Sequence, residues 1–428
     1  MAVLSYLQQL WRSEDLRKRI VVTVFLLFLY RVAAHVAVPG ADVFALRQYL
    51  DTKGSGGGAL GVFAALTGGG LDNFSVVLLG LSPYINASII IQLCTVIFPK
   101  LEALSKEGAQ GQQELNRYTR WLALPLSFLQ SYGFLVLLGR GGVNIVDISF
   151  PAVILPMIFV TAGSLFLMWL GEIITEKGIG NGVSMIIFIG IVAEIPTRFG
   201  GILLTGDGKV GAFYLFVIVS IAMLVAVVLF TDAHRLIPIT YASQGAGRGV
   251  QGSIPIRINQ AGMIPIIFAI SLITFPEILA QFLRSAPRFA SVVEFITKYL
   301  SSQNPSFLYM AGYFLLVVGF TFFYVSVTFK PKEVAETIQK RGGFIPGMRP
   351  GQQTANLLAK TSNRLNLWGG IFLAIVAVIP LLFTKYSSLG STDLLISGSG
   401  LIIIVGVVME LIRQINAQML AHDYEKLV

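Results

Sequence analysis

Four ionisable side chains, Arg31, His35, Glu172 and Glu410, fall inside or at the rim of long apolar runs. At membrane depth such groups are costly to desolvate, and they mark proton relays and ion pathways. Glu172 and Glu410 sit near the ends of their runs, where a side chain reaches the interface without any special chemistry. Haem binding needs histidines on facing helices, yet His35, His234 and His422 fall in a helix, a loop and the tail. The single cysteine, Cys94, lies in an apolar run and excludes an intrachain disulfide or a cysteine-based metal site. No Ser/His/Asp set, HExxH or Walker motif is present. The residues therefore give no support to a proton pump, a cytochrome or an intramembrane hydrolase.

The elements that hold these residues are read from composition. Of 428 residues, 55% are hydrophobic and 12% charged, about half the charge of an ordinary soluble domain. Such a chain is an integral membrane protein. Apolar runs bounded by charge, Gly or Pro occur near 20–38, 74–98, 118–138, 151–173, 182–197, 212–231, 259–283, 307–329, 366–384 and 394–416. Each approaches the roughly 20 residues that cross a bilayer as a helix. If the loops alternate sides, 21 of the 31 Lys and Arg fall on one face and nine on the other, with Arg31 inside the first run. The positive-inside rule then puts both termini in the cytoplasm. The first 20 residues, charged and amphipathic, lack the apolar core of a removable signal and are expected on the membrane surface.

Two runs share an oddity. LSPYINASIIIQL carries Pro83, Asn86 and Gln92, and NQAGMIPIIFA carries Asn259, Gly262 and Pro265. Each is the second run of its half if the ten divide five and five, a pattern that points to inverted repeats with the functional path between them. Kinks of no special meaning are the alternative, since Gly and Pro are common in membrane helices. GIGNG (178–182) opens a membrane helix rather than following a strand, so it predicts a tight reversal and not a phosphate loop.

Two long basic segments, 232–258 and 330–365, carry ten Lys/Arg against Asp232, Glu333 and Glu336. Attraction to anionic lipid is one reading. Their length and their Gly and Pro content favour docking of a large acidic partner, such as ribosomal RNA. The second of them contains KRGGFIPGMRPGQQT (340–354), expected to form a rigid hairpin that presents Arg349.

KGIGNGVSMIIF, LSPYINASIIIQL, KEGAQGQQELNRYTR, NQAGMIPIIFA and RGGFIPGMRPGQQT, together, resemble the SecY/Sec61-alpha family of bacterial protein translocase subunits. The resemblance runs from the first helix to the last. It implies an all-α polytopic membrane protein of ten transmembrane helices, in two inverted-repeat halves (helices 1–5 and 6–10) around an hourglass pore. The expected parts are an N-terminal surface segment (1–19), an N-terminal half (20–200), a C-terminal half (201–416) and a cytoplasmic tail (417–428). It implies the central subunit of a channel in the bacterial inner membrane, not an enzyme and without cofactors. Unfolded secretory chains would cross it, and transmembrane segments would leave sideways into lipid. The partners implied are SecE and SecG, the SecA ATPase, the ribosome, signal sequences and the phospholipid bilayer. A secondary transporter of a small solute is the alternative that the repeat signature allows, and a poreless scaffold is a third.

The resemblance also gives roles to single residues. A pore ring of aliphatic side chains falls on Leu81, Ile85, Ile191, Ile267 and Ile403; apolar constrictions block ions by dewetting. Ordinary packing is the other reading of these five. A plug at about 57–73 includes Leu60, Phe63, Leu66, Thr67, Gly68, Gly69 and Gly70, and its apolar piece is too short to span a bilayer. The lateral gate would lie between helices two and three and helices seven and eight, with Gln92 and Asn259 as a hydrogen-bonded pair. Docking of SecA or the ribosome falls on Arg248, Lys340, Arg341 and Arg349.

Overall fold

The computed structural model describes residues 13–40, 42–44, 46, 73–139, 149, 151–205, 210–241, 250–283, 287–301, 305–386 and 398–425. The plug residues Leu60 to Gly70, and Arg248, lie outside them. The helices in chain order are α1 (Glu14–Ala33), α2 (Ser82–Ile97), α3 (Pro99–Lys106), α4 (Ala109–Gly139), α5 (Ile154–Lys177), α6 (Gly182–Thr205) and α7 (Val210–Asp232). After strands β1 (His234–Tyr241) and β2 (Val250–Arg257) come α8 (Ile264–Leu283), α9 (Ala290–Tyr299), α10 (Phe307–Thr328) and α11 (Pro331–Lys340). Strand β3 (Gly343–Phe344), α12 (Gln352–Tyr386) and α13 (Gly398–Glu425) follow among the described residues. A helix occupies each of the ten apolar runs. Among the described residues, four stretches are long and apolar enough to cross a membrane outright: 154–177, 307–340, 352–382 and 400–419. The pair α2 and α3 makes a fifth, bent by 103°.

Turn chemistry moves several boundaries away from the apolar runs. The first run was expected to reach 38, but α1 ends at Ala33. Beyond it Val38 precedes a proline, a position that disfavours helix, and its N–H donates to Phe74 O at 2.9 Å while Val36 O accepts from Val76 N–H. The second run was expected to be helical from 74, yet residues 73–81 are turns and α2 starts at Ser82. Pro83 sits in the first turn of α2, where its missing N–H costs nothing. It therefore starts this helix and does not interrupt it. The same device recurs in the other half. Gly80 and Gly262 have φ of +56° and +65°, each three residues before a proline, Pro83 or Pro265, in the first turn of a helix.

The helices differ in how far they outrun the membrane. At 1.5 Å per residue the 31 residues of α4 extend about 46 Å and the 35 of α12 about 52 Å, against a hydrocarbon core of about 30 Å. Their surplus turns lie at the basic ends, the start of α4 and the start of α12. KEGAQGQQELNRYTR is thus largely helical, completing α3 and opening α4.

Among the described residues, the architecture departs from all-α in one three-stranded sheet. The two basic segments, expected as separate projections, form a single folded module. β1 and β2 pair antiparallel from His234↔Arg257 to Tyr241↔Val250. β3 adds to the other edge of β1 through Thr240↔Phe344 and Tyr241↔Gly343, giving the order β2-β1-β3. The apolar side chains Ile237, Ile239, Ile256, Ala335, Ile338, Ile345, Ala355 and Leu358 make a core under the sheet, closed by α11 and α12. KRGGFIPGMRPGQQT is accordingly not an independent hairpin: its strand docks on a hairpin built 100 residues earlier.

Candidate functional site

The core between the helices is built from aliphatic residues of both halves. Leu81 caps α2 and Ile85 lies one turn into it; Ile191 is on α6, Ile267 on α8 and Ile403 on α13. All five belong to one buried cluster with Val77, Ile187, Met263 and Ile266. Helical phase explains the gathering. Leu81 and Ile85 stand four residues apart on one face, and Met263 and Ile267 repeat that spacing one and five residues after the other positive-φ glycine. Met263 and Ile187 escaped the sequence reading. The glycine-to-proline spacing shared by the two halves is the signal that pairs Met263 with Leu81.

The two amides of the expected gate are placed differently from the prediction. Gln92 Nε2 donates to Ser88 Oγ on its own helix at 3.4 Å, and Asn259 Oδ1 accepts from Gly262 N–H at 2.9 Å. The direct Gln92–Asn259 bond is not formed; each amide bonds within its own segment instead. The helices do meet: α8 packs on α2 and α4, and Phe268 of α8 stands edge-on to Phe320 of α10 at 5.7 Å.

On the far side of α4 the contacts are polar. Arg120 Nε donates to Glu172 Oε1 of α5 at 2.7 Å, so this carboxylate is paired across helices rather than merely reaching for the interface. Further along, Ser131 Oγ and Thr161 Oγ1 lie 3.5 Å apart, both buried. A Cβ on Gly163 of α5 would stand 1.9 Å from Val76 O, so only glycine lets α5 lie against the turns that lead into α2.

GIGNG forms the tight reversal that its glycines predicted, joining α5 to α6 with Gly180 at φ +82°. Thr23 Oγ1 of α1 accepts from Ile179 N–H at 3.0 Å. Ile179 is buried in a cluster with Leu16 and with Leu411, Ile415 and Met419 of α13. The reversal therefore fastens the first helix, the fifth-to-sixth connection and the last helix together on the basic face.

That face also carries the predicted docking residues. Lys340 ends α11, Arg341 caps it, and both are exposed. Gly342, at φ +69°, turns the chain back into β3. Gly343 packs so closely on Ile338 and Tyr241 that a Cβ would stand 2.9 Å from each side chain. Arg349 has its backbone pinned while its side chain stays exposed: its N–H donates to Gln353 Oε1 at 3.2 Å, and its carbonyl accepts from Thr354 Oγ1 at 3.4 Å. At the root of the hairpin Arg413 of α13 donates to Thr231 O at 2.8 Å and to Asp232 Oδ1 at 3.3 Å. Partial burial, with Arg413 nearby, pulls the Arg257 guanidinium below its ordinary range.

A helical membrane bundle with an aliphatic centre and a basic folded module on one face defines the class: a polytopic channel-like membrane protein. The SecY family model matches residues 75–412, and the chain belongs to the SecY family. It is 38% identical over 434 residues to the protein translocase subunit SecY of Mycobacterium tuberculosis (strain ATCC 25618 / H37Rv), covering 97% of each chain. It is 38% identical over 438 residues to that of Streptomyces galbus, covering 99% of each. Among solved structures it is similar to a protein-conducting channel, with a TM-score of 0.66 at 19% identity over 94% of this chain and 92% of that one. It is also similar to Sec61 in the canine ribosome-channel complex from the endoplasmic reticulum, with a TM-score of 0.62 at 19% identity over 94% and 92%.

Proposed function

We propose that this chain is the central subunit of a protein-conducting channel, through which unfolded secretory proteins cross the membrane and from which transmembrane segments pass sideways into lipid. The observation that supports the reading is that Leu81, Ile85, Ile191, Ile267 and Ile403, on four helices of both halves, belong to one buried and mainly aliphatic cluster. Side chains of this kind exclude ions by dewetting and form no lasting bond with a passing peptide. Family membership supports it independently.

In this reading ten helices span the membrane, both termini are cytoplasmic, and the seam of α2 and α4 against α8 and α10 is the lateral gate. SecE and SecG complete the channel, and the segment around Leu60 to Gly70 seals it from the outer side. The basic module receives SecA or the ribosome through Lys340, Arg341, Arg349 and Arg248. The exposed cations Lys340, Arg341 and Arg349 suit the phosphates of ribosomal RNA or the acidic surface of a motor.

The test is crosslinking of a stalled secretory precursor to single cysteines at positions 85, 191 and 403, in a chain whose Cys94 is replaced by alanine. Capture at all three is expected, and capture at none sinks the channel reading. Arg349→Glu should slow precursor export several-fold, by weakening partner contact at constant fold. Unchanged export kinetics would remove Arg349 from the docking set.

A further inference from the structure

The segment that leads into α8 is laid along one face of α12. Ser362, Asn366 and Gly369 stand at i, i+4 and i+7, a single helical face. Ser362 Oγ donates to Gln260 Oε1 at 3.0 Å. Seven residues on, a Cβ at Gly369 would stand 2.8 Å from Ile258 O. Residues 258–260 therefore run past Asn366, which lies between these two contacts. Ser362 and Asn366 are both buried, 2% exposed, and two polar atoms here have no protein partner: the donor Gln260 Nε2 and the acceptor Asn366 Oδ1.

A buried donor and a buried acceptor left open where two segments pack together are expensive to leave unmade. We infer that Gln260, Ser362 and Asn366 form a hydration site for one ordered water molecule. The water would accept from Gln260 Nε2 and donate to Asn366 Oδ1 and to the free lone pair of Ser362 Oγ. Three partners of mixed sign are what a buried water commonly has. The site fixes the turn 258–263, in which Asn259 caps Gly262 and from which α8 departs. Gln260 and Asn366 are therefore positioning residues for the start of α8. Their effect on gating rests on the channel reading; the water site itself does not.

The experiment has two arms, both on the full chain in its channel complex in lipid nanodiscs. An electron cryomicroscopy map fine enough to show ordered water should place a single density peak within hydrogen-bond reach of the three side chains. A direct Gln260–Asn366 amide bond with no peak overturns the site. In the second arm, export of a precursor with a weakened signal sequence is compared in Asn366→Leu and Asn366→Ser. Leucine strands the Gln260 donor and should loosen the turn, raising that export roughly tenfold, whereas serine keeps an acceptor and stays near the parent. Equal behaviour of the two variants overturns the positioning role. A parent chain that exports no normal precursor sinks the channel reading alone, and the density peak still decides the water site.

Discussion

Two seams flank the pair formed by α2 and α4, and they are held by different forces. Toward α5 the seam is held at three places: Arg120 bonds Glu172, Ser131 lies beside Thr161, and Gly163 admits the backbone of Val76. Toward α8, no side-chain hydrogen bond of α2 crosses among the described residues; Gln92 and Asn259 each bond locally. Between membrane helices, polar ties and small residues that admit close approach are the main sources of cohesion, since lipid is as apolar as the side chains it would replace. A seam without them parts at little cost. The contrast is one between a seam with polar ties and a seam without them; in the channel reading proposed above, the second is the lateral gate.

Gly163→Ala is the sharpest way to break the closed seam. Its methyl group would collide with Val76 O at 1.9 Å, and overpacking of this kind costs about 1–3 kcal/mol. A clear fall in thermal midpoint of the purified complex is expected, and an unchanged midpoint would mean that the turns before α2 yield freely. Glu172→Gln should cost less, about 1 kcal/mol, because Arg120 is half exposed and water screens the pair. A double-mutant cycle with Arg120→Ala measures the coupling, which should shrink in high salt. The smallest effect belongs to the open seam: Gln92→Leu should change stability by under about 0.5 kcal/mol, since only a bond to Ser88 is lost. A loss as large as that of Gly163→Ala would erase the distinction between the seams.

Much of this architecture was legible in the residues. Apolar runs near 20 residues announced the helices, because bilayer thickness imposes that length. GIGNG announced its reversal, since closely spaced glycines supply the positive φ that a tight turn demands. The sheet was not legible. HRLIPITY and VQGSIPIR each contain a proline, normally a reason to demote a strand. Pro238 is tolerated because β3 reaches only Thr240 and Tyr241, leaving that edge of β1 open beside it. Pairing of β1 with β3 also spans about 100 residues, beyond any local signal. Within the site, the aliphatic residues are indistinguishable by type from their neighbours, and family likeness alone selected them. The local bond of Asn259 depends on the turn geometry around Gly262, which residue identity does not disclose.

The three-stranded sheet has a mechanical consequence. α7 runs into β1, β2 leads to α8, α10 leads through α11 to β3, and α12 departs just beyond it, so one small rigid block is geared to four membrane helices. A load placed on the turn around Arg349 cannot bend one loop alone. It becomes a torque shared by all four helix roots, two of which, those of α8 and α10, border the weakly bonded seam.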